Sequence, residues 1–213
     1  MQTQAQMQPT AVHPQDEQII GQLQRGQSAA VADLVRLYQD RLFGVMLRMT
    51  GNADDAAELV QETFLKALAN LDRFKGHSSV YTWLFRIAIN LALSRRRSNQ
   101  RHPTVSLDAL SEPVSFNQQA ANLRREFAQD TEGDPALVAA ARVDHETVLE
   151  AMDQLDPALR AILVLRDIDD ASYAQIAEVL EMPEGTVKSR IFRARVALRE
   201  KVLRGKRSPV NRT

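Results

Sequence analysis

Residues 172–202, SYAQIAEVLEMPEGTVKSRIFRARVALREKV, decide the fold. Ser172 and Gln175 have the spacing of a capping box, in which the serine oxygen takes a first-turn amide and the glutamine reaches back to the cap. Tyr173, Ile176, Ala177 and Leu180 fall at i, i+3, i+4 and i+7, the apolar stripe of a short helix. A tight turn at 181–184 leads to a second helix with Val187, Ile191, Ala194 and Leu198 inward. Two short helices joined so closely describe a helix-turn-helix. The second helix leaves Thr186, Lys188, Ser189, Arg190, Phe192, Arg193 and Arg195 off its core face. Hydroxyls and cations in the major groove read base edges and hold phosphates, and Thr186, Lys188 and Ser189 have the character of readers. A basic helix face is more often merely solvated. The capped helix and tight turn in front of this one favour DNA.

Working towards the N-terminus, a helix is expected around residues 145–154, followed by Asp156-Pro157, a cap and first-turn pair that leads Leu159, Ile162 and Leu163 into a core. Between residues 100 and 143 the helical pattern fails at Pro103, Pro113, Gly133 and Pro135, and the segment reads as a long linker with at most a short helix near residues 123–127. In the first half, Leu34, Leu37, Tyr38, Leu42, Val45 and Met49 form the stripe of a long amphipathic helix that Thr50-Gly51-Asn52 stops. A second helix opens on Asp54 and Asp55, which suit the helix dipole, and buries Val60, Phe64, Ala67, Leu68 and Leu71. Its other face presents Glu58, Gln61, Glu62 and Leu65. A basic loop ends at Ser78 and Ser79, either able to cap a third helix that runs through Trp83 towards Arg97. In that helix Val80, Leu84, Ile87, Ala88 and Leu91 point inward, while Arg86, Asn90, Ser94 and Arg97 share another side. Tyr81, Trp83 and Phe85 lie close by, and cations interleaved with aromatics suit single-stranded nucleic acid. Phe85 reads as a core residue, and Trp83 is balanced between core and binding.

The 213 residues carry 27 Lys and Arg against 27 Asp and Glu, so a net charge of zero conceals a strong asymmetry. Arg73, Lys75, Arg86, Arg95, Arg96, Arg97 and Arg101 face only Asp72 between residues 71 and 107. Residues 188–207 hold nine cations against Glu200. Both segments are candidate polyanion contacts, whereas residues 112–156 are predominantly acidic. The absence of cysteine excludes disulfides, thiolate metal sites and thiol redox sensing, and suits a reducing cytoplasm. No signal peptide or membrane-spanning run is legible, so no stable membrane insertion is expected. The histidines at 13, 77, 102 and 145 are scattered, and Asp54-Asp55 and Asp167-x-Asp169-Asp170 fit helix starts and turns better than metal sites. Without a phosphate loop or nucleophile motif, neither an enzyme nor a cofactor or metal is expected.

Three segments in order, DDAAELVQETFLKA from Asp54, RFKGHSSVYTWLFRIAINLALSRRR from Arg73 and the 172–202 stretch, resemble the extracytoplasmic-function sigma factors of bacterial RNA polymerase. The resemblance implies an all-α protein of two small domains, sigma region 2 over 16–99 and sigma region 4 over 144–204. These are joined by the linker 100–143, with a disordered tail at 1–15 and a basic tail at 205–213. It implies that Glu58, Gln61 and Glu62 dock on the clamp helices of the largest polymerase subunit, and that region 4 meets the flap of the second-largest. Residues Phe74, Lys75, Gly76, His77, Ser78 and Ser79 would capture a flipped base of the minus-ten element. Tyr81, Trp83, Arg86, Asn90 and Arg97, on the helix behind, would melt and read it. Thr186, Lys188, Ser189, Phe192 and Arg193 would meet the minus-thirty-five duplex, with Tyr173 near its backbone. The implied partners are core polymerase, promoter DNA and an anti-sigma factor, the last able to hold a cytoplasmic protein at the inner membrane face. An ordinary helix-turn-helix repressor or activator is the competing possibility, and a structural adaptor a third. The Trp83 helix and the Glu58 face argue against the former, the basic recognition helix against the latter.

Overall fold

The computed structural model describes residues 14–76, 78–101 and 147–207, so residues 1–13 and 208–213, His77, and residues 102–146, with the rest of the expected linker and its short helix, lie outside the described residues; residues 14–15 and 100–101, expected in the tail and the linker, belong to helices instead. All four histidines fall outside as well. Every regular element among the described residues is helical.

The first unit holds α1 (Pro14–Gln24), α2 (Ala29–Thr50), α3 (Ala53–Ala69), a 3-10 turn (Leu71–Arg73) and α4 (Val80–Arg101). Gly51 ends α2 in the left-handed region at φ 73°, where only a residue without Cβ is unstrained, and its amide bonds Leu47 O at 2.8 Å. Asn52 then caps α3 by accepting from the amides of Asp54 and Asp55. Ser79 caps α4 through its bond from the Thr82 amide. Leu34, Tyr38, Leu42, Val45 and Met49 are buried as their period requires, but Leu37 remains 42% exposed. It lies about 100° off the centre of the stripe formed by the other five, because a 3.6-residue period cannot place every apolar residue on one face. Leu71 also departs from expectation: α3 stops at Ala69 and Leu71 is half-buried in the 3-10 turn. The Tyr38 hydroxyl donates to both oxygens of buried Asp16 at 2.9 Å and ties α1 to α2.

The second unit holds α5 (residues 147–153), α6 (Pro157–Leu163), a π-helical turn (Val164–Ile168), α7 (Tyr173–Val179) and α8 (Glu184–Arg207). Asp156 and Pro157 begin α6 as cap and first residue, and the Ser172–Gln175 capping box is complete in both directions. Val187, Ile191 and Ala194 are buried on α8, and Leu198 is half-buried. The turn between α7 and α8 places Glu181 at φ 51°, a conformation more comfortable for glycine.

The two units are packed together: α4 lies against α7 and α6, and the π-turn rests on α2. Their buried apolar residues form one continuous cluster. This arrangement determines which functional side chains face outward.

Candidate nucleic-acid interface

Helix α8 presents its first two turns to solvent. Lys188, Ser189, Phe192 and Arg193 are exposed, Phe192 to 70%, and Thr186 is half-buried. An aromatic ring so exposed beside cations on a recognition helix is unlike a core residue and available to a base edge or thymine methyl. Ser189 donates to Thr186 O at 3.0 Å, so its hydroxyl retains acceptor capacity towards a ligand. Tyr173 begins α7 half-buried, with the Arg166 guanidinium 5.3 Å from its ring centre. Arg195, which the sequence leaves off the core face, pairs with Asp167 instead.

The loop at 74–79 closes one side of a cleft of about 340 Å³ whose opposite wall is α1, with Asp16, Ile20, Gly21 and Gln24. Phe74, Lys75, Gly76 and Ser78 contribute the loop side. Gly76 turns the chain at φ 73°. Gln24 Nε2 donates to Phe74 O at 3.1 Å, and the Phe74 ring lies 4.9 Å from that of half-buried Trp83. The cleft is bounded by an aromatic, a cation and polar groups, a setting suited to an unstacked base. Sequence reasoning located the loop but missed α1 as its other wall, because no motif marks Gln24. Ser79 is buried in its capping role.

Along α4 the cations have divergent partners. Arg95 pairs with Asp55 and Glu58 of α3; its partial burial opposes the charge, but the carboxylates raise its pKa. Arg96 donates to Asp153 O, and Arg86 reaches Glu178 O through Nε at 3.1 Å and Nη2 at 2.7 Å. Asn90 and Arg97 are exposed, and Arg97 bonds within its own helix turn to Leu93 O and Ser94. Phe85 is fully buried, as its sequence context suggests. Tyr81 is buried too, and its hydroxyl donates to the Asp169 carboxylate of the second unit. Arg41 of α2 stacks 4.5 Å from the Tyr81 ring centre and donates to the same carboxylate at 2.6 Å. Burial raises the pKa of both Tyr81 and Asp169, and in Tyr81 the neighbouring carboxylate adds to the effect. Arg41, although burial opposes its charge, is held above its ordinary value by Asp169. The sequence assigned Asp169 only to a turn and did not single out Arg41.

On α3, Gln61 is exposed, Glu62 pairs with Lys66 one turn on, and Glu58 pairs with Arg95 while its carboxylate remains largely in solvent. Leu65, 67% exposed, adds an apolar knob to this acidic face. Among the described residues no cluster of three or more ligating side chains suits a metal ion.

A helix-turn-helix unit on a second helical unit that carries an outward acidic face and an aromatic-basic loop is the architecture of a bipartite nucleic-acid-binding protein. Residues 34–102 match the family described as Sigma-70 region 2 and residues 145–198 match Sigma-70, region 4. The chain is 38% identical over 184 residues to the RNA polymerase sigma-H factor of Pseudomonas aeruginosa, covering 86% of this chain and 92% of that protein. It is 34% identical to the ECF RNA polymerase sigma factor SigW of Bacillus subtilis, covering 86% and 94%. Among solved structures it is similar to CnrH in complex with the cytosolic domain of CnrY, with TM-score 0.61, 25% identity and coverage of 91% and 99%. It is also similar to the sigma factor RpoE in complex with the anti-sigma factor NepR from Bartonella quintana, with TM-score 0.55, 25% identity and coverage of 84% and 96%. The chain belongs to the extracytoplasmic-function sigma factor family.

Proposed function

We propose that this protein binds core RNA polymerase, directs it to specific promoters and helps open the minus-ten region. One observation supports the reading: a single chain holds a helix-turn-helix whose second helix exposes Phe192 and Arg193, and apart from it a unit with an aromatic-basic loop and an exposed acidic α3 face. An ordinary repressor has use for the first feature only. Glu58, Gln61 and Glu62, joined by Leu65, form the surface for the clamp helices of the largest subunit, and region 4 meets the flap of the second-largest. The cleft between α1 and the 74–79 loop receives a flipped minus-ten base, with the extraction cost of a few kcal/mol offset by stacking and the fitted walls. Trp83, Asn90 and Arg97 contact the same strand. Thr186, Lys188, Ser189, Phe192 and Arg193 read the minus-thirty-five duplex, with Tyr173 near its backbone. No bond is made or broken, so the role is that of an initiation factor and not an enzyme. No helix among the described residues is long and apolar enough to cross a membrane, and the working location is the cytoplasm. The similarity to RpoE in its complex with the anti-sigma factor NepR supports an anti-sigma partner for this chain as well.

Run-off transcription with purified core polymerase and a promoter library tests this reading. Specific transcripts are expected only when the protein is present, and Glu62→Lys should abolish them while leaving the helical spectrum unchanged. Arg193→Ala should weaken recognition of one minus-thirty-five position by ~1–3 kcal/mol. Tight duplex binding with no polymerase dependence would point to a repressor or activator instead.

A further inference from the structure

The cleft between α1 and the 74–79 loop has two chemically different walls. On the loop side Lys75 and Ser78 bring donors, an ammonium and a hydroxyl. On the α1 side the lining residues are Asp16, Ile20, Gly21 and Gln24. Ile20 and Gly21 have no polar side-chain atom, and Asp16 is a buried carboxylate that accepts from the Tyr38 hydroxyl at 2.9 Å. Burial, and after it the charge of Asp16, raise the Tyr38 pKa, so the phenol keeps its proton and remains the donor of that pair. Gln24 is exposed at the end of α1, and its Nε2 donates to Phe74 O at 3.1 Å. A carbonyl accepts only from an N–H or O–H, so this bond fixes which way the amide lies and leaves Oε1 as its acceptor end. Among the described residues nothing donates to that Oε1. The α1 wall is therefore a surface of acceptors facing a loop of donors.

We propose that α1 is the base-selecting wall of this cleft: Gln24 Oε1 accepts a hydrogen bond from the exocyclic amino group of the captured base, so that cytosine is held in preference to thymine or uracil. The inference rests on the proposed capture of a minus-ten base at this loop. Cytosine and uracil share a ring and its O2 but carry opposite groups at C4, an amino donor in cytosine and a carbonyl acceptor in uracil. With O2 towards Lys75 or Ser78, C4 comes to the α1 wall, where an amino group meets an acceptor. A carbonyl in the same place gives up water and finds no donor in return, and Gln24 Oε1 is left unpaired opposite it. Selection thus comes as much from the groups that the wrong base strands as from the bond that the right base makes. The exposure of Gln24 sets the scale. Water competes at this rim, so the discrimination is that of one net hydrogen bond, about threefold to tenfold in affinity.

The test uses the full-length protein and fluorescein-labelled abasic deoxyoligonucleotides of about 12 nucleotides, each with one central base, cytosine or uracil, and a wholly abasic strand as reference. The parent should bind the cytosine probe about threefold to tenfold more tightly than the uracil probe. Gln24→Lys keeps a donor for Phe74 O but offers the cleft only N–H groups, so it should reverse the preference, and Gln24→Leu should abolish it. A residue that merely positioned the loop would shift both probes alike and leave their ratio unchanged. Gly21→Leu blocks the cleft. A Cβ at Gly21 meets only the Arg25 guanidinium, at 3.7 Å, and leucine favours the helix, so the fold accepts the change while the side chain fills the space. Both probes should then fall to the level of the abasic strand. A parent ratio near one, or a ratio unmoved by Gln24→Lys, while Gly21→Leu still blocks both probes, would overturn the inference and leave base capture standing. If Gly21→Leu weakens neither probe, or if neither binds the parent better than the abasic strand, the cleft takes no base and the minus-ten reading of the loop falls with the inference.

Discussion

Arg160 is 1% exposed, yet it is a cation in a core of Ile162, Leu163 and Leu165. Its guanidinium is tolerated because every side has an acceptor: Met152 O at 2.8 Å, Met49 O at 2.9 Å and the Asp153 carboxylate at 2.7 Å. Burial still lowers its pKa, with the Asp153 bond working against that shift. Replacing it by leucine keeps most of the volume but removes the Arg160 donors from Met49 O and Met152 O, the latter keeping only the Leu155 amide, and leaves the Asp153 carboxylate without this partner. Arg160→Leu should therefore cost ~2–4 kcal/mol, read as a lower urea midpoint at unchanged slope. Arg160→Lys should recover only part of the loss, since an ammonium cannot span three acceptors arranged for a planar fork. Tyr81 teaches a related lesson. As an aromatic beside Arg86 it has the composition of a strand-binding residue, but its hydroxyl and ring are both engaged by partners from outside α4.

Among the elements, α7 is the most dependent on its cap. Seven residues are too few to hold a helix by propensity, so the capping box and the buried Ile176 and Val179 must do so. Ser172→Ala should destabilise the protein by ~1 kcal/mol and accelerate amide exchange across residues 173–179, with little change in α3. The π-turn after α6 is the second element that matters. Its widened hydrogen bonding, with the Asp169 amide on Val164 O at 3.0 Å, and the left-handed Asp170 at φ 52° carry the chain off the helix axis. Asp169 is thereby left beside α2 and α4. Such turns in an otherwise regular helix are often found at functional positions. Nothing in the run from Asp167 to Asp170 distinguishes it from an acidic loop, which is why a turn was the natural expectation.

For the whole molecule, closure makes two small units into one cooperative body, since Arg41, Arg86, Arg96 and Arg160 all bridge between them. Calorimetry of the native chain should show a single unfolding transition. Asp169→Ala should broaden or split it into two, because each unit then melts with its own core. A single sharp transition in that variant would mean that the apolar contacts alone couple the units. The amino-acid sequence by itself determined the helices from α2 to α4 and from α5 to α8 and their ends at Gly51, Asn52, Asp156 and Ser172, with Ser78 and Ser79 both open as the cap of α4, the helix-turn-helix, the exposed face of α8 and the family. These are local properties: caps, dipoles and apolar stripes act over three or four residues, so their signals lie side by side in the chain. Only the tertiary structure decided which cations of the basic α4 segment are engaged and which face solvent. Arg86, Arg95 and Arg96 are drawn to acceptors on α7, α3 and α5, while Arg97 remains on its own helix. It alone brought Asp169 to Tyr81, 88 positions away, and set α1 against the 74–79 loop. Such pairings come from the docking of finished surfaces across a long connection. A guanidinium has the same composition whether it waits for a phosphate or already holds a helix end.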